Sequence, residues 1–365
     1  MKPAPSIIGF TALSGLGYGL LFVLAVGVLA GLVPTDRWLG VAGFLLALGS
    51  ITAGLFASTL HLGHPERAWR AISQWRSSWL SREGLAALIT YIPAVIFAIG
   101  WVVYESIAGL YVVMALASAA GAAATVWCTG MIYASLPPIK AWHQPLTAPV
   151  YLALALMTGL LATNLLLILF GAPRIVVGIL TLIAIAGAAA LKIVYWLTLS
   201  NEGSSGPNAA SATGLSRSGL VRMLDPPHTQ TNYLLDEMGF QIGRKHAQLL
   251  KLLTCLFGLV IPLALTAMTL MQDHWLVTLL ALLAFASGMI AVLIERWLFF
   301  AEAEHTVMLY YGNAASTAGA ARTVSSIKPS RRDVSISAEE PRRRRASPVR
   351  RRATNIAMDE ADPAS

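Results

Sequence analysis

The chain has 365 residues, of which 56% are hydrophobic and only 12% are charged. A mean hydropathy of +0.66 leaves too little polar surface to cover a soluble globule of this size, so the composition predicts an integral membrane protein. The formal net charge of +8 comes mostly from an Arg-rich tail, and it does not indicate a nucleic-acid partner.

Eight segments are long and apolar enough to cross about 30 Å of hydrocarbon as helices. Helix is the expected state because lipid cannot satisfy open backbone groups, and the runs lack the alternation of barrel strands. The predicted fold class is an all-α integral membrane protein, an eight-transmembrane-helix bundle. The predicted spans are 7–32, 39–60, 85–104, 107–136, 150–170, 175–199, 249–271 and 275–294. The first run lacks a small-residue cleavage site and is expected to be a retained anchor.

The distribution of basic residues predicts the orientation in the membrane. Eight spans place both termini on one side, together with the linkers after helices two, four and six. Before the tail, that side carries Lys2, Arg67, Arg70, Arg76, Arg82, Lys140, Arg217, Arg222, Arg244 and Lys245, and the other side carries Arg37 and Arg174. By the positive-inside tendency, we predict an N-in and C-in protein of the bacterial inner (cytoplasmic) membrane.

The segment 58–83, STLHLGHPERAWRAISQWRSSWLSRE, is the strongest candidate for a site. His61 ends one apolar run and Glu83 begins the next, so both are expected at the same membrane surface. A pocket for a quinone needs proton-exchanging groups, because interconversion with the quinol moves two electrons and two protons; His and Glu suit that task. In the alternative interpretation, His61 and Glu83 only complement helix dipoles, with Ser81 as a helix N-cap.

Few other polar residues lie within the apolar runs. They are Asn164 in the fifth, Lys192 in the sixth, and Glu295 with Arg296 at the end of the eighth. Lys192 is expected to extend its ammonium group towards the near membrane surface.

The sequence favours no metal centre in this chain. Its two cysteines, Cys128 and Cys255, lie in separate apolar runs, so neither a disulfide framework nor a cysteine-ligated cluster is expected. All seven histidines fall at helix ends or in linkers, which disfavours a haem ligated by two helices. P-loop, dinucleotide-binding and HExxH patterns are absent from the sequence.

Two polar stretches follow the sixth helix. The linker 200–248 contains enough apolar and aromatic residues to order against another surface, so it is either a partner-docking surface or a connector that covers helix ends. We assign residues 1–312 to the membrane domain and 313–365 to a disordered, Arg-rich cytoplasmic tail that meets anionic membrane lipids.

The run LHLGHPERAW followed by SWLSRE resembles the membrane anchor subunit of dimethyl sulfoxide reductase-like molybdenum enzymes, the DmsC family. The matching residues are Leu60, His61, Leu62 and Gly63, then Pro65, Arg67 and Ala68, then Leu80, Ser81 and Glu83. The eight-span layout and the stretch from Glu295 to Phe300, with His305 after it, also look like the family's final helix. The resemblance covers residues 1 to 312.

This resemblance implies a complex of three subunits. A molybdopterin catalytic subunit and a ferredoxin-like iron–sulfur subunit would be the partners, and this chain would exchange electrons with the quinone pool while binding no haem or metal itself. His61 and Glu83 would be quinone-site residues, with Arg67 as an addition. A cytoplasmic partner is then expected, which departs from the orientation often drawn for reductase anchors, with their termini outside.

Three functions remain open from the sequence. Stretches such as VRMLDPPHTQTNYLLDEMGFQIGRKHA look more like the anchor of sulfite-oxidising, quinone-reducing complexes, the SoeC type. The first alternative is a menaquinol-oxidising anchor of a dimethyl sulfoxide reductase. The second is a transporter without a redox role, which would favour broken helices and buried midplane charges; beyond Lys192 and Asn164, the spans offer little of that.

Overall fold

Eight long helices dominate the structure, a computed structural model that describes residues 2–60, 62–202, 212–214, 238, 245–271 and 275–311. In these ranges, all eight are long and apolar enough to cross a membrane. They are α1 (Pro5–Leu29), α2 (Arg37–Thr59), α3 (Trp79–Val102), α4 (Leu110–Ala134), α5 (Thr147–Leu169), α6 (Ile175–Glu202), α7 (Ala247–Met271) and α8 (Leu276–Ala301). The predicted fold class, an all-α eight-helix membrane protein, is confirmed.

Two helices extend well beyond their predicted ends. Helix α3 begins at Trp79 rather than at 85, and α8 ends at Ala301 rather than at 294. The hydroxyl of Ser78 caps α3 by accepting a hydrogen bond from the backbone N–H of Ser81, at 3.4 Å. The expectation that Ser81 would be the N-cap is therefore wrong. Glu83 and the Glu295–Arg296 pair lie inside helices, not at their ends.

Helices α1 and α5 form the centre of the bundle, with about two-thirds of each apolar window buried. Their backbones touch at Gly19 and Gly159. A Cβ atom added to Gly159 would lie 2.3 Å from the carbonyl carbon of Gly19, which is too close for any side chain. Small residues at this crossing let the two helices approach closely, as is common in membrane helix pairs.

Helix α7 lies at the periphery, with only 17% of its apolar window buried. It contains a π-helical turn at Leu256–Val260. The hydroxyl of Ser287 on α8 donates a hydrogen bond of 2.7 Å to the carbonyl of Phe257 within that turn. A π turn shifts carbonyls out of the regular ladder, and Ser287 satisfies one of them.

One end of the bundle carries the linkers 60–78 and 135–146 and the segment 302–311, and we call it the linker side. Trp142 donates its indole N–H to the carbonyl of Phe299, at 2.9 Å. The backbone N–H of Thr306 donates to the carbonyl of Pro138, at 3.0 Å. These bonds tie the linker between α4 and α5 to the end of α8 and close this end of the bundle.

Most of the linker 200–248 and all of the tail lie outside the described residues. Of the linker interior, the structure describes Ala212–Gly214 and Met238. The carbonyl of Ala212 accepts a hydrogen bond of 3.1 Å from the hydroxyl of Tyr310. Partner docking by the linker, disorder of the tail and the division at residue 312 stay predictions.

Candidate functional site

Glu83 lies on the second turn of α3 and is 4% exposed. Its carboxyl group accepts a hydrogen bond from the hydroxyl of Thr129 on α4. The helix start fixes this position, because Ser81 accepts a hydrogen bond from the backbone N–H of Gln74 at 3.2 Å while Ser78 caps the helix. Glu83 is therefore directed into the bundle rather than towards the surface linker.

The Thr129 hydroxyl also lies 3.0 Å from the carbonyl oxygen of Thr125, one turn earlier on α4. A hydroxyl has one rotatable proton and can both donate and accept. When Glu83 is ionised, Thr129 donates to its carboxylate. When Glu83 is protonated, the acid can donate to Thr129, whose own proton turns to the Thr125 carbonyl. The hydrogen bond between Glu83 and Thr129 can therefore form whether Glu83 is ionised or protonated, and only hydroxyl protons have to rotate.

The side-chain contact described for Arg67 is with Glu66. Arg67 lies on a short 3₁₀ helix, Pro65–Ile72, between α2 and α3, and its exposed guanidinium is 3.7 Å from Glu66. Among the described contacts, those of Arg67 and those of Glu83 have no partner in common. His61 lies outside the described residues, so its position relative to Glu83 stays a prediction.

A second group of buried polar side chains joins α6 to α8. The ammonium of Lys192 lies 2.6 Å from one carboxyl oxygen of Glu295, and the guanidinium Nε of Arg296 lies 2.9 Å from the other. All three residues are at most 4% exposed. The expectation that Lys192 would reach the membrane surface is wrong, because Glu295 provides a partner inside the bundle.

We call Lys192, Glu295 and Arg296 the ion chain. Aromatic rings lie against its two cations. The Arg296 guanidinium lies 3.6 Å from the ring centroid of Tyr151, and the Lys192 ammonium lies 3.9 Å from that of Tyr195. The Tyr195 hydroxyl in turn donates to the carbonyl of Ala141. Desolvated cations gain more from aromatic faces than exposed ones do, so the rings help to hold Lys192 and Arg296 inside the bundle.

Glu83 belongs to the same electrostatic neighbourhood as the ion chain. Its partner Thr129 lines the same small cavity as Tyr151 and Arg296. With Glu83 ionised, the carboxylates of Glu83 and Glu295 balance the cations Lys192 and Arg296. These four buried side chains then carry no net charge. Sequence reasoning found Glu83, Lys192 and Glu295 separately and missed that Lys192 pairs with Glu295 and that Glu83 pairs with Thr129. The available signal was the lysine in the middle of a long apolar run.

The described part of the chain contains no group of three or more His, Cys, Asp or Glu side chains that could hold a metal ion. Cys128 on α4 and Cys255 on α7 are both free thiols. The described histidines, His64, His143, His246 and His305, lie outside the eight helices.

Comparisons with known proteins identify relatives of this chain. A family model described as DMSO reductase anchor subunit (DmsC) matches residues 1–312. A sulfite dehydrogenase subunit from Allochromatium vinosum is 32% identical over 339 residues, which cover 86% of this chain and 100% of that protein. The anaerobic dimethyl sulfoxide reductase chain YnfH of Escherichia coli is 27% identical over 191 residues, 51% of this chain and 67% of that protein. No solved structure matches the chain.

Proposed function

The chain belongs to the family of DMSO reductase anchor subunits (DmsC), and we propose that it exchanges electrons between an iron–sulfur partner and the membrane quinone pool. In this proposal it anchors a molybdopterin catalytic subunit together with a ferredoxin-like iron–sulfur subunit. The direction is sulfite oxidation with quinone reduction, because the relative that shares 32% identity over 86% of the chain is a sulfite dehydrogenase subunit.

The observation that carries the quinone part of the proposal is the buried Glu83 with its Thr129 partner. Reduction of a quinone consumes two electrons and two protons. A buried carboxyl group that is satisfied in both protonation states can donate a proton to a ring carbonyl oxygen and then recover one. Glu83 supplies this carboxyl group, and in the proposal His61, which follows α2 in the sequence, supplies a second proton-exchanging group while Arg67 contributes positive charge at the mouth of the site.

The iron–sulfur partner docks on the linker side, next to the quinone site. The surface there presents exposed arginines beside exposed tryptophans: the Arg70 guanidinium lies 5.5 Å from the ring centroid of Trp69, and that of Arg76 lies 5.1 Å from Trp75. Aromatic and arginine side chains are enriched in protein interfaces. By the charge distribution, this side faces the cytoplasm of a bacterial inner membrane, with both termini inside.

Oxidation of menaquinol in a dimethyl sulfoxide reductase is the second candidate. The relative from Escherichia coli favours it, at 27% identity over about half of this chain. The same residues would serve, with Glu83 accepting protons from the quinol instead of supplying them.

The transporter alternative loses one of its counter-arguments. The sequence offered few buried charges, but the bundle contains the chain of Lys192, Glu295 and Arg296. Membership of the anchor family, rather than a scarcity of buried charge, now favours the redox function.

The test is purification of the tagged chain in mild detergent, with molybdenum and iron analysis and with turnover assays. Sulfite-dependent quinone reduction is expected, and activity only with dimethyl sulfoxide would reverse the direction.

His61→Gln and Glu83→Gln should abolish quinone-linked turnover and keep activity with an artificial dye. The controls His64→Gln and Glu66→Gln break an exposed pair on the same linker and should change neither activity. Unchanged quinone turnover in both site variants would remove these residues from the site.

A further inference from the structure

A small cavity beside Thr129 has several polar groups in its wall. Its volume is about 10 Å³, and its lining includes Thr129, Tyr151 and Arg296 together with hydroxyl groups of α1 and α5. Thr129 and Tyr151 place hydroxyl groups on this wall, and Arg296 places its guanidinium there. A space of this size holds one water molecule, which needs two to four polar partners. The cavity offers both, at a point between Thr129, the partner of Glu83, and Arg296.

A second cavity, of about 30 Å³, lies on the far side of the ion chain. Lys192 and Glu295 form part of its wall, and Trp196 and Thr254 form another part, next to the π turn of α7. This volume has room for about two water molecules. Lys192 and Glu295 thus border a mainly apolar space that extends from α6 and α8 towards α7.

Polar side chains reach the edge of the bundle at Lys251 and Glu302. Lys251 lies 2.8 Å from Glu302, and their side chains are 23% and 13% exposed. The ring centroid of Trp196 lies 5.3 Å from the ammonium of Lys192 and 5.7 Å from that of Lys251. Lys192 also interacts electrostatically with Glu302. The pair thus links the interior ion chain to the partly exposed rim of α7 and α8.

We propose that these groups form a proton route between Glu83 and the Lys251–Glu302 pair. The route runs through Thr129, the first cavity, the Arg296–Glu295–Lys192 chain and the second cavity. It rests on the proposed function, since it requires that Glu83 exchange protons with a quinone. The route explains how a carboxyl group that is 4% exposed and lies below a partner-docking surface exchanges protons with water.

The chemistry balances for each quinone that is reduced. Two electrons arrive from the iron–sulfur partner, and two protons are consumed at the ring oxygens. One of these protons comes from His61, the second proton-exchanging residue of the proposed function. Glu83 gives the other to a carbonyl oxygen and recovers one from the water in the first cavity. Successive transfers between water, Glu295 and Lys192 replace that proton, and the last one enters from the aqueous phase at Glu302. Arg296 stays charged throughout and orients the water and Glu295.

The test uses the complex with its partner subunits in lipid nanodiscs. The double variant Lys192→Met, Glu295→Gln removes one charge of each sign and so leaves the net charge of the buried group unchanged. Dye-linked activity should stay at the wild-type level, and quinone-linked turnover should fall by at least about tenfold. Added formate, a small weak acid that carries protons, should restore part of the loss, which it would not do if the residues were only structural. The control Asn164→Ala removes a buried polar side chain outside the route and should show neither effect.

Each other outcome is also decisive. Wild-type quinone turnover in the double variant, with Glu83→Gln impaired, would overturn the route and leave the proposed function intact. Wild-type turnover in both would overturn the two together. A loss that formate does not restore would assign Lys192 and Glu295 a structural role. If the inner double variant does not assemble, Lys251→Met, Glu302→Gln decides in the same way, because it leaves the interior unchanged.

Discussion

Lys192 and Glu295 form an ion pair of 2.6 Å in the interior of the bundle, between helices α6 and α8. Breaking a buried pair leaves an uncompensated charge away from water, which costs far more than the loss of an exposed pair. The two residues therefore couple the packing of α6 to that of α8.

Glu295→Ala should lower the stability of the protein by about 3–5 kcal/mol, because it leaves the cations Lys192 and Arg296 without their carboxylate. Thermal unfolding in detergent measures the loss. The matched change is Glu105→Ala, which breaks the half-exposed pair between Arg37 and Glu105 and should cost at most about 1 kcal/mol. Equal melting temperatures for the two variants would contradict a stabilising role of the buried pair.

Thr129→Val should reduce quinone-linked turnover by roughly tenfold or more, since it removes the hydroxyl that serves Glu83 while it keeps the shape of the side chain. A hydrogen bond to a charged group is worth about 1.5–3 kcal/mol, which sets this scale. Thr129→Ser retains the hydroxyl and should stay near the wild-type rate. Steady-state assays with quinone and with an artificial dye distinguish an effect at the quinone site from an effect on the rest of the complex. Equal quinone rates for Thr129→Val and Thr129→Ser would rule out a role of the hydroxyl in turnover.

Gly159→Ala should destabilise the protein by about 1–3 kcal/mol, because the added Cβ would meet the backbone of Gly19 on α1. Gly187→Ala is the control within another helix. Its Cβ meets nothing within 4 Å, so the better helix propensity of alanine should raise stability by up to about 1 kcal/mol. Melting temperatures that shift in opposite directions support the close contact of α1 with α5. Shifts in the same direction count against it.

Topology reporters test the orientation. A fluorescent protein fused after Ser365 should fluoresce, since it folds in the cytoplasm. Alkaline phosphatase fused after Gly171, in the short linker between α5 and α6, should be active because that linker is predicted to be periplasmic. The reverse pattern of activities would place both termini outside and move the partner to the other face of the membrane.

Hydropathy found the helices but misjudged where two of them begin or end. Polar residues at the start of α3 lowered the local hydropathy, so the predicted span began at 85, after Glu83. The helix starts at Trp79 because Ser78 caps it. Its first turns can be helical despite their polar residues, because those side chains find partners inside the protein. The same effect ended the predicted eighth span just before Glu295 and Arg296, although α8 continues to Ala301.

Part of the candidate site was accessible to sequence reasoning. Glu83 was selected from its position beside the short linker, and the resemblance to anchor subunits gave it a role. Its partner Thr129 was not selected, because a threonine within an apolar helix has no distinguishing pattern. Arg67 was selected from the same motif, but the structure places it on the exposed 3₁₀ segment with Glu66.

The sequence by itself determined that this is a multi-pass membrane protein with eight helices. Lipid permits few backbone conformations, so the length and hydropathy of a segment are enough to define a span. Only the tertiary structure decided which polar groups meet. Glu83 with Thr129, and Lys192 with Glu295, are distant in the chain, and their contacts depend on which faces of the helices pack together. Hydropathy carries almost no information about helix rotation, whereas the close packing at Gly19 and Gly159 and the pairing of buried charges fix it.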